Sequence, residues 1–318
     1  MFPGLGEDPI DSAMSACQHR EMKTRRSFLG QSSAVLASLI GLPALAQQVL
    51  QPEGENINFG LCTYMWGAEW DLPMILTTLK QLGIKGVELR VDHAHKVSPE
   101  LTAPQRADVR QKFEESEITL IGMGTNADFD SPDPGKLKAN IELAKEYIRL
   151  SHDIGGSGVK VKPNNVHEKE GISLDRTLEQ IGKALAELGE YSIGFGQEIR
   201  LEVHGSVGKS LANIAKIMEV AKADNVRVCW NSNPTDLDGE GLEKNFGLIK
   251  EHLGHTTHIH ELGDAKYPYD KLFKLFVEAD YDGWMLMEAN SKVDDKVRAL
   301  GQQKELWTTL METARRKA

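Results

Sequence analysis

Residues 158–203 read GVKVKPNNVHEKEGISLDRTLEQIGKALAELGEYSIGFGQEIRLEV. The stretch opens on a short apolar strand candidate at 158–162 and closes on another at 198–203. Between them, the apolar residues of 174–191 recur at the spacing of an amphipathic helix. Two strands joined by one helix read as a parallel pair with a crossover connection. The unit repeats outward in both directions. Further strands are predicted at 57–62 (INFGLC), 86–90 (GVELR), 118–123 (ITLIGM), 226–230 (VRVCW), 255–260 (HTTHIH) and 282–287 (DGWMLM). Further helices are predicted at 72–82, 103–115, 135–153, 208–223, 241–252, 268–279 and 294–315.

Eight strands and eight helices in strict alternation match a single (β/α)₈ TIM barrel, an α/β fold of about 250 residues. An open doubly wound sheet is the alternative, and it usually carries a glycine-rich phosphate loop after its first strand. Here the first strand runs into Thr63-Tyr64-Met65-Trp66-Gly67, without that pattern. No linker or second domain is evident after Ala46, so the barrel is assigned to 47–318. The segment 124–134 (GTNADFDSPDP) is read as a polar loop over the strand ends.

Residues 1–46 are read as an N-terminal extension and export signal rather than part of the fold. Thr24-Arg25-Arg26-Ser27-Phe28-Leu29 has the pattern of a twin-arginine signal. An apolar run of small residues follows from Ser32 to Leu42, and Pro43-Ala44-Leu45-Ala46 offers a cleavage site. The run is too short to span a membrane. The mature chain is therefore expected outside the cytoplasm, periplasmic or extracellular. The formal net charge is −10, and an acidic surface repels phosphate backbones, so nucleic acid is not an expected partner. Cys62 and Cys229 lie in apolar strands and are expected as buried thiols rather than a disulfide.

Barrel enzymes place their chemistry at the C-terminal ends of the strands. Polar residues there are costly unless paired or used. Strand two offers Glu88 and Arg90 on one face, as an internal salt bridge, as support, or as substrate contacts. Strand four offers Lys160 and Lys162, which repel each other unless acids face them; Lys162 is taken as a substrate contact. Strand five ends in Glu202 and His204, strand six in Asn231, strand seven in His258 and His260, and strand eight in Glu288. Glu202, Asn231, His258 and Glu288 come from four successive strands and can converge on one point. Two carboxylates, an imidazole and an amide form an N/O set suited to one divalent ion: Mn, Mg, Co, Fe or Zn.

The pieces GVELR, LEVHG, CWNSNP, HIHE and YDGW…ME, spread over the chain after Ala46, resemble the xylose isomerase-like TIM-barrel superfamily, in particular its sugar phosphate isomerase/epimerase group. The resemblance implies one divalent metal held by Glu202, Asn231, His258 and Glu288. Asn231 stands where the family usually has Asp, which lowers the charge of the site. The H-x-x-D/E spacing favours His258 over His260, with Glu261 following. The resemblance further implies metal-assisted proton transfer beside a carbonyl, with Glu202 and Glu288 as proton-transfer groups. His204, His260, Lys162, Glu88 and Arg90 would contact substrate, and Arg90 could hold an acidic group.

The expected function is thus an exported isomerase or epimerase acting on a carbohydrate, with a homo-oligomer possible. Export points to an unphosphorylated sugar or an oxidised derivative. Two other readings use the same barrel: a metal-assisted lyase or hydrolase of keto-glycosides, and a non-catalytic carbohydrate-binding module. A DNA-repair endonuclease shares the fold, but the acidic surface and export signal argue against it.

Overall fold

The first strand of the sheet, β1 (Asn58–Cys62), pairs with both the second and the last. The computed structural model of the protein describes residues 54–317. The predicted export signal lies outside these residues. The strands that follow β1 are β2 (Gly86–Arg90), β3 (Thr119–Asp128), β4 (Gly158–Lys162), β5 (Glu198–Glu202), β6 (Val226–Cys229), β7 (Thr256–Ile259) and β8 (Trp284–Met287). All pairings are parallel, in the order β6-β5-β4-β3-β2-β1-β8-β7. The two ends meet through isolated bridges, Val228 with Leu253 and Asn231 with His258. The result is a nearly closed (β/α)₈ barrel.

The helices are α1 (Leu72–Leu82), α2 (Ala103–Glu114), α3 (Pro134–Asp153), α4 (Leu174–Ile193), the short α5 (Gly205–Gly208), α6 (Leu211–Ala221), α7 (Leu242–Ile249), α8 (Tyr269–Glu278) and α9 (Lys296–Lys317). Local chemistry sets their ends. Asp71 accepts from the Met74 amide and Pro73 fills the first turn of α1, where its missing N–H is no loss. Gly83 ends α1 at φ 62°, a conformation that costs glycine little. Asp133 and Pro134 start α3 in the same way. The inward faces, such as Ile75 and Leu79 of α1 and Ile181, Leu185 and Leu188 of α4, are fully buried against the strands.

Apolar packing falls into two parts. A large cluster fills the space between sheet and helices. A small one, Cys62, Ile121, Trp284 and Leu286, fills the middle of the barrel. Below it Arg200 plugs the N-terminal end, bonded to Glu198 (2.9 Å), the Ile121 carbonyl (3.1 Å) and Ser157 (2.8 Å). Glycines make room for these plugs. A Cβ on Gly86 would stand 2.3 Å from the Trp284 ring, and one on Gly158 2.6 Å from the Arg200 guanidinium carbon.

One sequence expectation is corrected. The segment 124–134 is not all loop, because β3 continues to Asp128. Its register against β4 shifts between Gly124 and Asp128. Such an irregularity re-aims side chains at a barrel rim. Cys62 and Cys229 are buried free thiols, as the sequence indicates. No helix among the described residues is long and apolar enough to cross a membrane.

Candidate active site

Above the apolar middle of the barrel lies a charged layer. His258, on β7, is fully buried. Its Nε2 stands 3.1 Å from Glu88 Oε1. Its Nδ1 stands 3.2 Å from Glu202 Oε1 and 3.3 Å from Glu288 Oε2. Ionised carboxylates only accept hydrogen bonds, so without an ion the ring donates from both nitrogens, and a cation at Nδ1 would displace that nitrogen's proton. Burial works against that imidazolium, but the facing Cys229, Glu288 and Glu88 groups outweigh it and raise its pKa well above the usual histidine value.

Glu202 is held from the other side. Lys160, on β4, places Nζ 2.6 Å from Glu202 Oε2, and both side chains are 1% exposed. Burial alone would favour the protonated acid. The Lys160 ammonium and His258 overcome it and hold the Glu202 carboxyl well below the usual range. Lys160 stays protonated through the same contact, despite its burial. The acid that the paired lysines of strand four require is therefore Glu202, and Lys160, not Lys162, meets it.

Asn231 Nδ2 donates to Glu202 Oε1 (3.2 Å) and, more weakly, to Glu288 Oε2 (3.5 Å). Its own Oδ1 is buried and has no hydrogen-bond partner. Donor atoms 2.0–2.2 Å from one cation lie about 3–4 Å apart, the spacing that separates His258 Nδ1 from the two carboxylates. Glu88 behind His258 is the carboxylate that commonly fixes a metal-bound imidazole. The chemistry of this set fits a divalent cation. The His, Cys and carboxylate group whose ligand atoms all lie within 4.8 Å of one another, among the described residues, is Cys62, His258 and Glu288, and all three are buried. Burial pushes the Cys62 thiol pKa up, so a cation there would have to displace its proton.

A cavity of about 710 Å³ opens over this layer. Glu202, Asn231 and Glu288 form part of its lining, with Arg90, Lys162, His204 and His260. Of the expected substrate contacts, Glu88 is fully buried, does not line the cavity and stands beside His258, the placement of the supporting role among its readings. Nor does it pair with Arg90, whose Nη1 donates to the Gly124 carbonyl (2.7 Å) and Nη2 to Asn126 Oδ1 (3.0 Å). His258 is likewise absent from the lining and sits beneath the floor. His260 lies at the rim, its Nδ1 3.0 Å from the Glu288 carbonyl oxygen. Glu261 accepts from the amides of Asn290 and Ser291 and so pins the loop after β8.

His204 is oriented by a chain of two side chains that sequence reading missed. Asn164 Nδ2 donates to Asp128 Oδ2 (2.6 Å), which turns Asn164 Oδ1 toward His204 Nδ1 (2.9 Å). His204 Nδ1 therefore carries the hydrogen, and Nε2 is the ring's acceptor. Asn164 has φ 50°, and a Cβ on Gly205 would stand 2.3 Å from its carbonyl oxygen. No sequence signal marks this arrangement beyond the polar run Asn164-Asn165 after strand four.

Residues 76–316 match the family described as the xylose isomerase-like TIM barrel. The chain belongs to that family. Among solved structures, an L-ribulose 3-epimerase is similar with a TM-score of 0.69 at 14% identity, covering 82% of this chain and 96% of that one. A 3-keto-D-glucoside 4-epimerase from E. coli follows with TM-score 0.67 and 14% identity over 79% of this chain and 99% of the other. The IOLI protein, solved with a binding zinc atom, gives 0.68 and 14% over 80% and 98%. At these identities the likeness concerns the fold.

Two predictions concern the rim and floor of this xylose isomerase-like barrel. Asn231→Asp adds a carboxylate to the candidate ligand set, and affinity in such sites rises with ligand charge. Zinc affinity of chelator-stripped protein, measured by calorimetry, is expected to rise by about tenfold or more. An unchanged affinity would place Asn231 outside the ligand set.

The second concerns Asp236, just beyond β6. It accepts from the Asn233 amide (2.9 Å) and from the hydroxyl of Tyr267 (2.6 Å), a cavity-lining residue. Its Oδ1 is buried without a partner. Burial raises its pKa from 3.8 to about 7, although both hydrogen bonds act to lower it. The folded protein thus holds a proton that the unfolded chain has released. That contribution to stability is full below pH 3.8 and is lost as pH rises through about 7. Thermal melts of Asp236→Asn are expected to gain on the parent from pH 5 to pH 8. A constant difference between the two proteins across that range would rule out this titration.

Proposed function

We propose that the protein is an exported, metal-dependent isomerase or epimerase of an unphosphorylated sugar or sugar derivative. The observation that carries this reading is the pairing of Glu202 and Glu288, two buried carboxylates from different strands that meet one histidine at the floor of a large cavity. The similar solved proteins named as sugar 3- and 4-epimerases support the reaction class. The solved relative with zinc supports a metal. The Arg25-Arg26 segment and the small-residue site at Ala46 support export.

Glu202, Asn231, His258 and Glu288 would hold the ion. When bound, a divalent cation supplies Lewis-acid polarisation of a carbonyl. The protein's own groups do the rest. Glu288 removes the proton from the carbon beside the carbonyl, and Glu202, fixed by Lys160, serves the opposite face. His204 Nε2 accepts a hydrogen bond from a substrate hydroxyl. Glu88 keeps the His258 ring from turning.

The test is a screen of metal-loaded protein over free ketoses, aldoses, inososes and keto-glycosides, read by mass spectrometry. The expected product has the mass of its substrate and gains one deuterium when formed in heavy water. Two fragments from a keto-glycoside would replace this reading with elimination. No turnover of any of these would leave a binding module. Fractionation of cells carrying the double variant Arg25→Lys, Arg26→Lys tests export, which should fail in that variant.

A further inference from the structure

The charged layer leaves two cations over. Glu88, Glu202 and Glu288 are engaged by His258 and Lys160. Arg90 and Lys162 line the same cavity, and neither forms an ion pair among the described residues. Arg90 is only 7% exposed. A guanidinium that deep without a counter-charge is costly, and its Nε has no partner at all.

The two cations also converge. Asn126 Oδ1 accepts from Arg90 Nη2 at 3.0 Å and from Lys162 Nζ at 3.3 Å. One neutral amide oxygen thus stands between a guanidinium and an ammonium, where an anion would be expected. The seat is built for this. A Cβ on Gly124 would lie 2.8 Å from Arg90 Cδ, so the missing side chain is what lets Arg90 lie against β3. Tyr64 covers the guanidinium, with its ring centroid 5.8 Å away. A bound cation in the floor would add positive charge to this side of the cavity.

We infer that Arg90 and Lys162 form a subsite for the carboxylate of an acidic sugar, a uronate or keto-aldonate, bound with its carbonyl end toward Glu202 and Glu288. The inference rests on the reading of the cavity as a sugar site and narrows its substrate class. A carboxylate fits better than a phosphate. The Arg90 Nη atoms already face two fixed acceptors, Gly124 O and Asn126 Oδ1, which would crowd the third terminal oxygen that a phosphate has and a carboxylate lacks.

The test is calorimetric binding of D-glucuronate, D-glucose and D-glucose 6-phosphate to metal-loaded protein, its Lys162→Met variant and its Asn126→Asp variant. Glucuronate is expected to bind roughly tenfold tighter than glucose or more, and tighter than the phosphate. Lys162→Met should remove most of that preference. Asn126→Asp gives the two cations a resident carboxylate. It should therefore abolish the preference while raising the melting temperature, which separates lost binding from lost folding. Equal binding of glucuronate and glucose overturns the subsite. Preference for the phosphate overturns its assignment to a carboxylate. Turnover is followed separately. Acid preference without turnover of any sugar removes the isomerase reading and keeps the subsite, whereas turnover of neutral sugars without acid preference does the reverse.

Discussion

Replacing Glu288 by Gln is expected to lower kcat by about 10²–10⁴-fold, the range for loss of a proton-transferring side chain, while the melting temperature stays close to the parent's. Glu288 follows β8 and lines the cavity, but its contacts are loose. His258 Nδ1 lies at 3.3 Å, Asn231 Nδ2 at 3.5 Å and Cys62 Sγ at 3.9 Å. Burial favours its protonation, and His258 more than offsets this, so the carboxyl titrates below its usual range. It is thus ionised, and its place in the cavity lining puts it beside a bound substrate. Gln keeps the shape and cannot take the proton. The imidazolium of His258 still has Glu88 and Glu202, which is why stability should hold. A kcat unchanged on an identified substrate would assign the base elsewhere.

Lys160→Met is expected to act on stability, with a loss of about 3–5 kcal/mol, the usual cost of breaking a buried ion pair on one side. Glu202 would keep His258 and the Asn231 amide but lose its closest partner, at 2.6 Å. Denaturant melts of stripped protein measure the loss directly. Added divalent metal should recover more stability in this variant than in the parent, because the ion gives the freed carboxylate a new counter-charge. A loss under about 1 kcal/mol would mean that the pair contributes no more than a surface salt bridge. Glu202→Gln should destabilise by a similar route, since it strands the Lys160 ammonium. That response would set Glu202 apart from Glu288.

Much of this was legible in the chain. Short apolar runs alternating with helices of period 3.6 mark all eight strands, because a parallel barrel buries its strands on both sides. Parity along the strands brings Glu202, Asn231, His258 and Glu288 into one charged layer. What parity cannot say is which polar residue meets which. Glu88 and Arg90 share a face of β2, yet Glu88 turns to a histidine 170 positions away and Arg90 to β3. Lys160 looks like the less useful of two lysines until the register of β4 against β5 places it beside Glu202. The Asp128–Asn164–His204 chain depends on a strand running four residues past its predicted loop start and on a left-handed Asn164. Neither leaves a periodic trace. Cys62 reads as one more apolar strand residue, and only closure of the barrel sets it between Glu88 and Glu288.

Seven strand pairs of this barrel are joined by ladders of several residue pairs, and the eighth, between β6 and β7, has only two isolated bridges among the described residues. One of its two bridges joins Asn231 to His258. The wall is therefore least fastened where two of the candidate ligands stand. Amides there should exchange with solvent before those of the other ladders, since local opening follows the sparsest hydrogen bonding. An ion drawing Asn231 and His258 together would then act as a clasp on the hoop, and its arrival could be followed in the slowing of exchange at that single joint.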